Sequence, residues 1–339
     1  MVVRVEKKTS HFNVVDLFSG VGGLSLGFQQ EGFNLLLAND NDHDAITTFQ
    51  YNHPQVYCYE GDIKTLDQKR LSHILGGKKV NVLVAGIPCQ SFSMKGQRIL
   101  NTKRSDPRDS LFKEFMRITH IIKPEIVVIE NVKGILSIHN GLIKDAIIND
   151  LEKMDYKVNY KMLNAADYGV AQLRERVVFM ANRIKKDNIF PEPTHSPENY
   201  VGVAKVLSNP SKYNHEPREL HGKVLERVKL VKPGKNWRSL PKELQTGSTH
   251  AGAYGRLDPK KPAFTLTTRF DTPPGGYVTH PTEDRAITVR EGARIQSFPD
   301  DFIFQGKKIS QYRQVGNAVP VSLARALANT VKKMLLQNE

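Results

Sequence analysis

The chain has 339 residues, of which 39% are hydrophobic and 25% charged, and its 49 Lys and Arg against 35 Asp and Glu give a formal net charge of +14. This composition excludes a disordered chain, and no apolar run approaches the roughly 18 residues that span a bilayer. The charged start of the chain and its two cysteines exclude a secreted disulfide framework and predict a cytoplasmic protein. The excess of basic residues favours a polyanionic partner, with a solvated basic surface as the alternative.

Short apolar runs alternate with stretches of helical spacing through the first half of the chain. Strands are predicted at 13–18, 35–38, 80–85, 126–129 and 177–180, and helices at 24–31, 44–51, 110–122 and 321–336. The strands lack the alternation of a half-exposed sheet, which indicates burial on both faces. Apolar strands separated by helices predict an α/β fold with a doubly wound, mostly parallel sheet.

Residues 184–287 differ in composition from the rest of the chain. They contain 12 of the 18 prolines, the only tryptophan, and 17 Lys and Arg against 11 Asp and Glu. Prolines at this density exclude long helices and favour loops with short strands. We therefore predict a second, smaller, loop-rich domain rather than a flexible linker. Its core would come from five aromatic residues, Trp237, Tyr254, Phe264, Phe270 and Tyr277.

A glycine-rich turn follows the first predicted strand and precedes the first helix. It contains Gly20, Gly22 and Gly23, which would let a ligand approach the backbone at a helix N-terminus, although such a turn can also be purely structural. Asp40 lies just past the second strand, where a carboxylate can receive ribose hydroxyls, and Asp62 lies where a third strand should end. The dinucleotide fingerprint requires a third glycine, at a position that Ser25 occupies here. The pattern disfavours a pyrophosphate and leaves open a nucleoside such as S-adenosylmethionine.

Three further polar groups lie near the ends of apolar strands, at the edge where parallel sheets bind ligands. Cys89 precedes a polar, basic segment, which suits a presented thiol, although a lone cysteine is more often a buried structural residue. Glu130 ends an apolar strand, where partial burial would suit it to hydrogen-bonding a base ring; a helix cap or an ion pair is the alternative. The third group consists of Gln172, Arg174 and Arg176, which would share one face of an extended segment. They could form a row of ligand-binding residues, or they could simply be exposed residues at the edge of the sheet.

Together these segments resemble the motifs of one family, the DNA (cytosine-5) methyltransferases of the stand-alone prokaryotic type. The motifs follow the family's order: Asp16-Leu17-Phe18-Ser19-Gly20-x-Gly22-Gly23, Pro88-Cys89-Gln90, Glu130-Asn131-Val132, Gln172-x-Arg174-x-Arg176, Arg290-Glu291-x-x-Arg294-x-Gln296-x-Phe298-Pro299 and Gly316-Asn317-x-Val319-Pro320. The resemblance covers residues 13–335 except for 184–287, where this family has its variable target-recognition domain. It implies a discontinuous catalytic domain, formed by 1–183 and 311–339, with 288–310 as a connecting segment.

The resemblance implies transfer of a methyl group to carbon 5 of a flipped-out cytosine through a covalent cysteine adduct. Cys89 would add to carbon 6 of the base, and Glu130 would bind ring nitrogen 3 and the exocyclic amine. Arg174 would hold the base oxygen, with Arg176 supporting the site. No residue is marked as the base that removes the carbon 5 proton, and water could do so.

The cofactor implied by the resemblance is S-adenosylmethionine, with S-adenosylhomocysteine as the product and no metal. The cofactor-binding residues would be Phe18, Gly20, Gly22, Gly23, Asp40, Asp62, Ile63, Leu111 and Asn317. Two positions depart from the family's pattern. Ile87 replaces a frequent proline, and Asn41 stands where relatives often place an aromatic residue against adenine.

Double-stranded DNA is the implied partner, and the second domain would read its sequence. The candidate DNA-binding residues are Gln90, Ser93, Arg98, Arg104, Gln172, Arg256, Thr265 and Arg269. The family type further implies a monomer that associates with the nucleoid and is functionally paired with a restriction endonuclease. Two alternatives remain open, a tRNA cytosine-5 methyltransferase of the same fold and a catalytically inactive DNA-binding relative.

Overall fold

The computed structural model describes residues 12–88, 111–248 and 250–338, which are built around a seven-stranded sheet with the order β3-β2-β1-β4-β5-β7-β6. The strands are β1 (Asn13–Leu17), β2 (Asn34–Asp40), β3 (Tyr57–Glu60), β4 (Val82–Gly86), β5 (Ile126–Val132), β6 (Lys157–Asn164) and β7 (Glu175–Asn182). The first five strands pair in parallel, and β7 runs antiparallel to both β5 and β6. The predicted α/β fold with a mostly parallel sheet is therefore confirmed.

Helices cover both faces of the sheet and bury its apolar side chains. They are α1 (Gly23–Gln30), α2 (His43–Asn52), α3 (Gln68–Leu75), α4 (Leu111–Ile122), α5 (Leu142–Glu152), α6 (Ala204–Leu207), α7 (Gly222–Leu230), α8 (Val289–Ile295), α9 (Lys308–Asn317) and α10 (Val321–Leu336). One core lies between the sheet and α1, α2 and α10, and includes Phe28, Phe49 and Leu327. A second core includes Leu71 of α3 and Phe115 of α4. Of the helices in the described part of the chain, none is both long and apolar enough to cross a membrane.

The sequence pattern missed one strand and the direction of another. β6 is the outer strand of the sheet, and most of its side chains are exposed. It therefore lacks the apolar run that marks a strand buried on both faces. β7 was predicted to continue the parallel series, but it enters the sheet antiparallel, between β5 and β6. The short connection between β6 and β7 permits this pairing, whereas parallel neighbours need a longer crossover.

The C-terminal helix α10 packs beside α1, at the opposite end of the chain. Gly27 of α1 lies so close to α10 that an added Cβ would be 2.5 Å from the Cβ of Ala324. Arg325 and Asn329 of α10 both donate to the carboxylate of Glu31, which follows α1. This packing supports the prediction that the catalytic domain is assembled from both ends of the chain.

The region predicted as the second domain contains α6, α7 and a two-stranded sheet of β8 (Gly255–Arg256) and β9 (Tyr277–Thr279). The longest helix described there, α7, has nine residues, as the proline density predicts. The five aromatic residues do not form one core. Trp237 and Tyr254 belong to a small cluster, whereas Phe270 joins a larger core that includes residues of α8 and α9. Phe264 is exposed and packs against Tyr277.

Candidate active site

The glycine-rich turn leaves the carboxyl end of β1 and leads into α1. Phe18 and Gly20 both have positive φ, at 56° and 54°, so the backbone turns sharply at the end of the strand. A Cβ on Gly20 would meet no atom of the described residues within 4 Å, so this glycine borders open space. Its N–H donates to Asp40 Oδ2 at 2.8 Å. The open side of the turn and the carboxylate at the end of β2 therefore share one edge of the sheet.

The other two glycines of the turn have a packing role. A Cβ on Gly22 would lie 2.7 Å from the ring of Phe49. A Cβ on Gly23 would lie 2.2 Å from the backbone oxygen of Val319. Glycine at both positions lets the start of α1 fit between α2 and the segment that follows α9. Gly22 and Gly23 thus hold the turn in place, and Gly20 faces the open space.

Two carboxylates lie at the ends of β2 and β3. Asp40 accepts hydrogen bonds from the backbone N–H groups of Gly20 and Asp42, and burial raises its pKa above the ordinary value. Asp62 is exposed, and its side chain accepts from the N–H of Lys64 at 3.0 Å. Because β3, β2 and β1 are neighbours in the sheet, both carboxylates lie on the side of the glycine-rich turn.

The remaining cofactor candidates lie on three other segments. Ile63 is buried in the turn after β3, and Leu111 is half-buried at the start of α4. Arg117 of α4 donates to the carbonyl oxygen of Ile63 at 3.0 Å, which ties these two segments together. Asn317 is exposed at the end of α9, next to Gly316, where an added Cβ would lie 2.4 Å from the backbone oxygen of Thr267. α9 therefore ends in contact with the segment around Thr267.

An ion pair lies at the carboxyl end of β5, on the same edge of the sheet. Arg176 Nε is 2.8 Å from Glu130 Oε1, and the two side chains are 11% and 10% exposed. The antiparallel register explains this contact, since it places Arg176 opposite Val132. A Cβ on Gly86 would lie 3.8 Å from both Glu130 Oε2 and the carbonyl oxygen of Phe18. The ion pair, the end of β4 and the glycine-rich turn therefore meet around Gly86.

The segment that leads to Cys89 is held by the residue next to Glu130. Asn131 is buried, and its Nδ2 donates to the carbonyl oxygen of Ile87 at 3.0 Å. One motif thus supplies both the carboxylate of the ion pair and a hydrogen bond to the chain just before the cysteine. Cys89 itself lies outside the described residues, as do four predicted DNA-binding residues, Gln90, Ser93, Arg98 and Arg104.

The predicted row of Gln172, Arg174 and Arg176 divides between two places. The guanidinium of Arg174 is buried and donates to three backbone oxygens, those of Leu266, Gly316 and Ala318. Gln172 is also buried, and its Oε1 accepts from the N–H of Leu266 at 3.0 Å. Burial lowers the pKa of Arg174 to about 9. Arg174 and Gln172 therefore join the start of β7 to Leu266 and to the end of α9, and only Arg176 faces Glu130.

The predicted DNA-binding residues of the second domain differ in accessibility. Arg256 is buried, and its guanidinium is surrounded by the carbonyl oxygens of Val228, Val231, His280 and Glu283 and by the carboxylate of Asp284. Because its donors are used inside the protein, the structure replaces the expected DNA contact of Arg256 with a structural role. Thr265 and Arg269 are exposed. Thr265 Oγ1 donates to the backbone oxygen of Leu173, and Arg269 donates to Asp271.

The motif from Arg290 to Pro299 joins residues 206–213 to the segments at 299–302 and 315, a role that the sequence did not reveal. Arg290 is buried and donates to the backbone oxygens of Tyr213, Pro299 and Phe302. Arg294 donates to those of Val206, Ser208 and Asn209. Gln296 donates to the backbone oxygen of Val315 at 2.7 Å. Arg294 also pairs with the carboxylate of Asp300. Most of the acceptors are main-chain atoms, so no side-chain pattern could have identified those contacts.

A pocket of about 500 Å³ lies beside the Glu130–Arg176 pair. It is lined by Val132, Lys133, Gly134, Asn164, Leu173, Glu175, Arg176 and Thr265. Sequence reasoning missed Lys133 and Glu175, whose charged groups are 3.1 Å apart at this pocket. Single charged residues beside a motif look like any other solvated side chains in the sequence. Within the described ranges, no group of three or more His, Cys, Asp and Glu side chains is arranged to hold a metal ion.

Known proteins with similar sequences and structures include several methyltransferases. Residues 12–333 match the family described as C-5 cytosine-specific DNA methylase. The chain is 40% identical over 327 residues to the Type II methyltransferase M1.HphI of Haemophilus parahaemolyticus, covering 94% of this chain and 86% of the relative. It is 34% identical to the Type II methyltransferase M.DdeI of Desulfomicrobium norvegicum, covering 94% and 88%. A DNA modification methyltransferase encoded within an E. coli prophage has a similar structure, with a TM-score of 0.75, 25% identity and coverage of 96% and 99%. The chain belongs to the C-5 cytosine-specific DNA methylase family.

Proposed function

We propose that the edge of the sheet around Gly86 is the active site of a sequence-specific DNA (cytosine-5) methyltransferase. The observation that carries this proposal is the Glu130–Arg176 ion pair, which lies beside the glycine-rich turn and Gly86, two residues before the described end of the cysteine segment at Pro88. A partly buried carboxylate and guanidinium can bind the polar edge of one heterocyclic base. A base inside a duplex cannot reach such a site, so the cytosine must be flipped out of the stack.

The chemistry starts from the weak nucleophilicity of cytosine carbon 5. Addition of the Cys89 thiolate to carbon 6 breaks the 5,6 double bond and makes carbon 5 nucleophilic. The Glu130 carboxyl group accepts from the exocyclic amine and shares a proton with ring nitrogen 3, which neutralises the negative charge that the attack places on the ring. Carbon 5 accepts the methyl group, a base removes the carbon 5 proton, and the returning electron pair expels the thiolate. Water is our candidate for that base.

We assign the base oxygen to Arg176, which reverses the sequence-based roles of the two arginines. Arg176 lies next to Glu130, so both side chains can bind the same ring. Arg174 has its two terminal nitrogens bonded to backbone oxygens and is 2% exposed. A residue in that position supports the site by joining its segments and has no free terminal nitrogen for a base.

S-Adenosylmethionine fits the open side of the glycine-rich turn. When bound, it supplies an electrophilic methyl group. Gly20 leaves space there that a Cβ would fill, and the Asp40 carboxylate beside it can accept ribose hydroxyls. The proposed contacts are Phe18, Gly20, Asp40, Asp62, Ile63, Leu111 and Asn317, with Gly22 and Gly23 holding the turn. Asn41 is exposed beside Asp40, so its contact with adenine stays a prediction.

The second domain is the proposed reader of the DNA sequence, with Thr265 and Arg269 as accessible candidates for contacts. The designation of the relatives as Type II methyltransferases supports functional pairing with a restriction endonuclease. A net charge of +14 supports association with the nucleoid. The monomeric state remains a prediction, which light scattering during gel filtration would test.

The central experiment is bisulfite sequencing of DNA from cells that express the protein. We expect 5-methylcytosine within one recurrent sequence, and none in cells that express Cys89→Ser. Absence of methylcytosine in every context would contradict the proposal. Incubation of the protein with duplex DNA or tRNA and labelled S-adenosylmethionine separates the main proposal from the tRNA alternative.

A further inference from the structure

Two ion pairs connect the end of β5 to the start of β7, and only one of them is explained by base binding. The inner pair, Glu130–Arg176, is nearly buried. The outer pair joins Lys133 Nζ to Glu175 Oε2 at 3.1 Å, with 61% and 49% of the side chains exposed. Lys133 follows Glu130 by three residues, and Glu175 immediately precedes Arg176. The outer pair therefore lies next to the inner pair, on the solvent side.

The outer pair also lies at the mouth of the pocket beside the proposed base site. Lys133, Glu175, Arg176 and Thr265 all line this pocket, which has a volume of about 500 Å³. A flipped nucleotide inserts its base, while its sugar and phosphates stay joined to the strand outside. The phosphates on either side of the target must then pass the rim of the base site.

We propose that Lys133 binds a DNA phosphate next to the flipped cytosine, and that Glu175 holds the lysine at the rim until DNA replaces it. This inference rests on the function proposed above, because it takes the Glu130–Arg176 pair as the base site. An ammonium group is a compact point charge with three donors, which suits phosphate oxygens and reads no base. The contact would position the strand without adding sequence specificity.

The exposure of the outer pair makes this exchange feasible. Ion pairs in solvent are weak and screened by salt, so a phosphate can displace the carboxylate with little net loss. A buried pair would not exchange in this way, because separating it would leave a charge without a partner. Glu175 would remain close to the bound phosphate, and its negative charge would then oppose DNA binding.

The experiment measures duplex binding as a function of salt for Lys133→Gln, Glu175→Gln and the double variant. The duplex carries the site mapped by bisulfite sequencing, or a mixed sequence if no site is found. Removing one phosphate contact lowers the slope of log affinity against log salt by about one. When salt is raised from about 50 to 200 mM, DNA affinity should therefore fall for Lys133→Gln by a factor about three to four times smaller than the factor for the wild type. Glu175→Gln should bind DNA more tightly than the wild type at low salt.

Lys157→Gln is the matched control. Lys157 pairs with Asp187 and is 54% exposed, similar to Lys133, but it begins β6. The other end of β6 is Asn164, which lines the pocket. Seven residues at about 3.3 Å each place Lys157 roughly 23 Å from Asn164 along the strand. Lys157→Gln should leave the salt slope unchanged. Affinity for S-adenosylhomocysteine, measured by calorimetry, should be the same in all variants.

The inference is overturned if Lys133→Gln keeps the wild-type salt slope. It is also overturned if Glu175→Gln tightens DNA binding equally with and without Lys133, because the carboxylate would then act only as a diffuse charge. Failure of the proposed function would look different. The wild type itself would then transfer no methyl group to DNA, whatever the salt slopes of the variants.

Discussion

Glu130 and Arg176 form a contact whose two halves come from strands that run in opposite directions. Their charged groups are 2.8 Å apart and nearly buried, and water screens such a pair much less than a surface pair. The low exposure also strengthens any hydrogen bond that Glu130 makes to a bound base as charge develops on the ring. The carboxylate should therefore contribute more to catalysis than to DNA affinity.

Replacing Glu130 with glutamine tests this contribution. We expect Glu130→Gln to lower the single-turnover methylation rate on the order of 100- to 1,000-fold, because an amide cannot supply the proton that neutralises the charge developing on the ring. DNA affinity should change little. Glu125→Gln is the control, since Glu125 immediately precedes the opposite end of β5 and pairs with Lys79. A normal rate in Glu130→Gln would remove the carboxylate from the mechanism.

The two arginines of the row should respond differently to the same conservative change. Arg174→Lys should lower the free energy of unfolding by about 2–5 kcal/mol, because a lysine cannot reach all three buried carbonyl oxygens and each unpaired one costs about 1–3 kcal/mol. Arg176→Lys should fold normally and lose methylation rate. Urea unfolding and single-turnover assays on both variants check this. A stable but inactive Arg174→Lys would restore the sequence-based roles.

Asp16 makes stability depend on pH. Burial raises the pKa of its carboxyl to about 7, which is the net result after a hydrogen bond from Ser25 Oγ at 2.6 Å lowers it and the charge of Asp40 raises it. The folded protein therefore holds a proton that the unfolded chain releases near its ordinary value of 3.8. Between these two pKa values the Asp16 contribution to stability falls by about 1.4 kcal/mol per pH unit as the pH rises.

Comparison of the wild type with Asp16→Asn isolates that contribution. Asparagine is neutral at every pH, so the variant should gain stability relative to the wild type from pH 5 to pH 7 and hold a constant difference above pH 8. Urea unfolding across this range measures the difference. A difference that is independent of pH would show that Asp16 stays ionised in the folded protein.

At the scale of elements, the glycine-rich turn combines a packing constraint with a space for a ligand. Gly23→Ala should destabilise the protein strongly, because its Cβ would lie 2.2 Å from a backbone oxygen of Val319, which cannot move aside as a side chain could. Gly20→Ala should lower the free energy of unfolding by only about 1–2 kcal/mol through its positive φ. It should also weaken S-adenosylhomocysteine binding, since the methyl group enters the open space.

Thermal unfolding and calorimetric titration of the two variants separate these effects. We expect a large fall in Tm for Gly23→Ala and a large rise in Kd for Gly20→Ala. Equal cofactor affinity in Gly20→Ala and the wild type would place the cofactor elsewhere.

At the scale of the whole molecule, the charge of +14 should act on DNA and not on the cofactor. Each phosphate neutralised releases condensed counterions, so affinity for duplex DNA should fall at least tenfold between about 50 and 200 mM salt. The affinity for S-adenosylhomocysteine should remain nearly constant, because this ligand carries no phosphate. Fluorescence anisotropy with labelled duplex and calorimetry with the cofactor product give the two slopes. If the affinities for DNA and for S-adenosylhomocysteine depended equally on salt, the charge would not serve DNA binding.

The elements that the sequence predicted well are those with a local signal. Four of the five parallel strands, β1, β2, β4 and β5, contain short apolar runs, whereas β3 does not. Helix α10 was predicted at 321–336, where the structure has Val321–Leu336. β6 had no such signal because an outer strand exposes most of its side chains. The direction of β7 could not be predicted either, since strand polarity depends on the path of the connection and not on the strand's own residues.

The sequence alone determined the fold class, the family and the candidate residues, because these depend on residue types and their order along the chain. Tertiary structure decided what each charged side chain contacts. Arg174, Arg176 and Arg256 look alike in sequence, yet one joins two segments, one faces Glu130 and one is enclosed by backbone oxygens. A guanidinium's role is set by the acceptors around it, and those acceptors come from residues tens to more than a hundred positions away. Only folding brings them together.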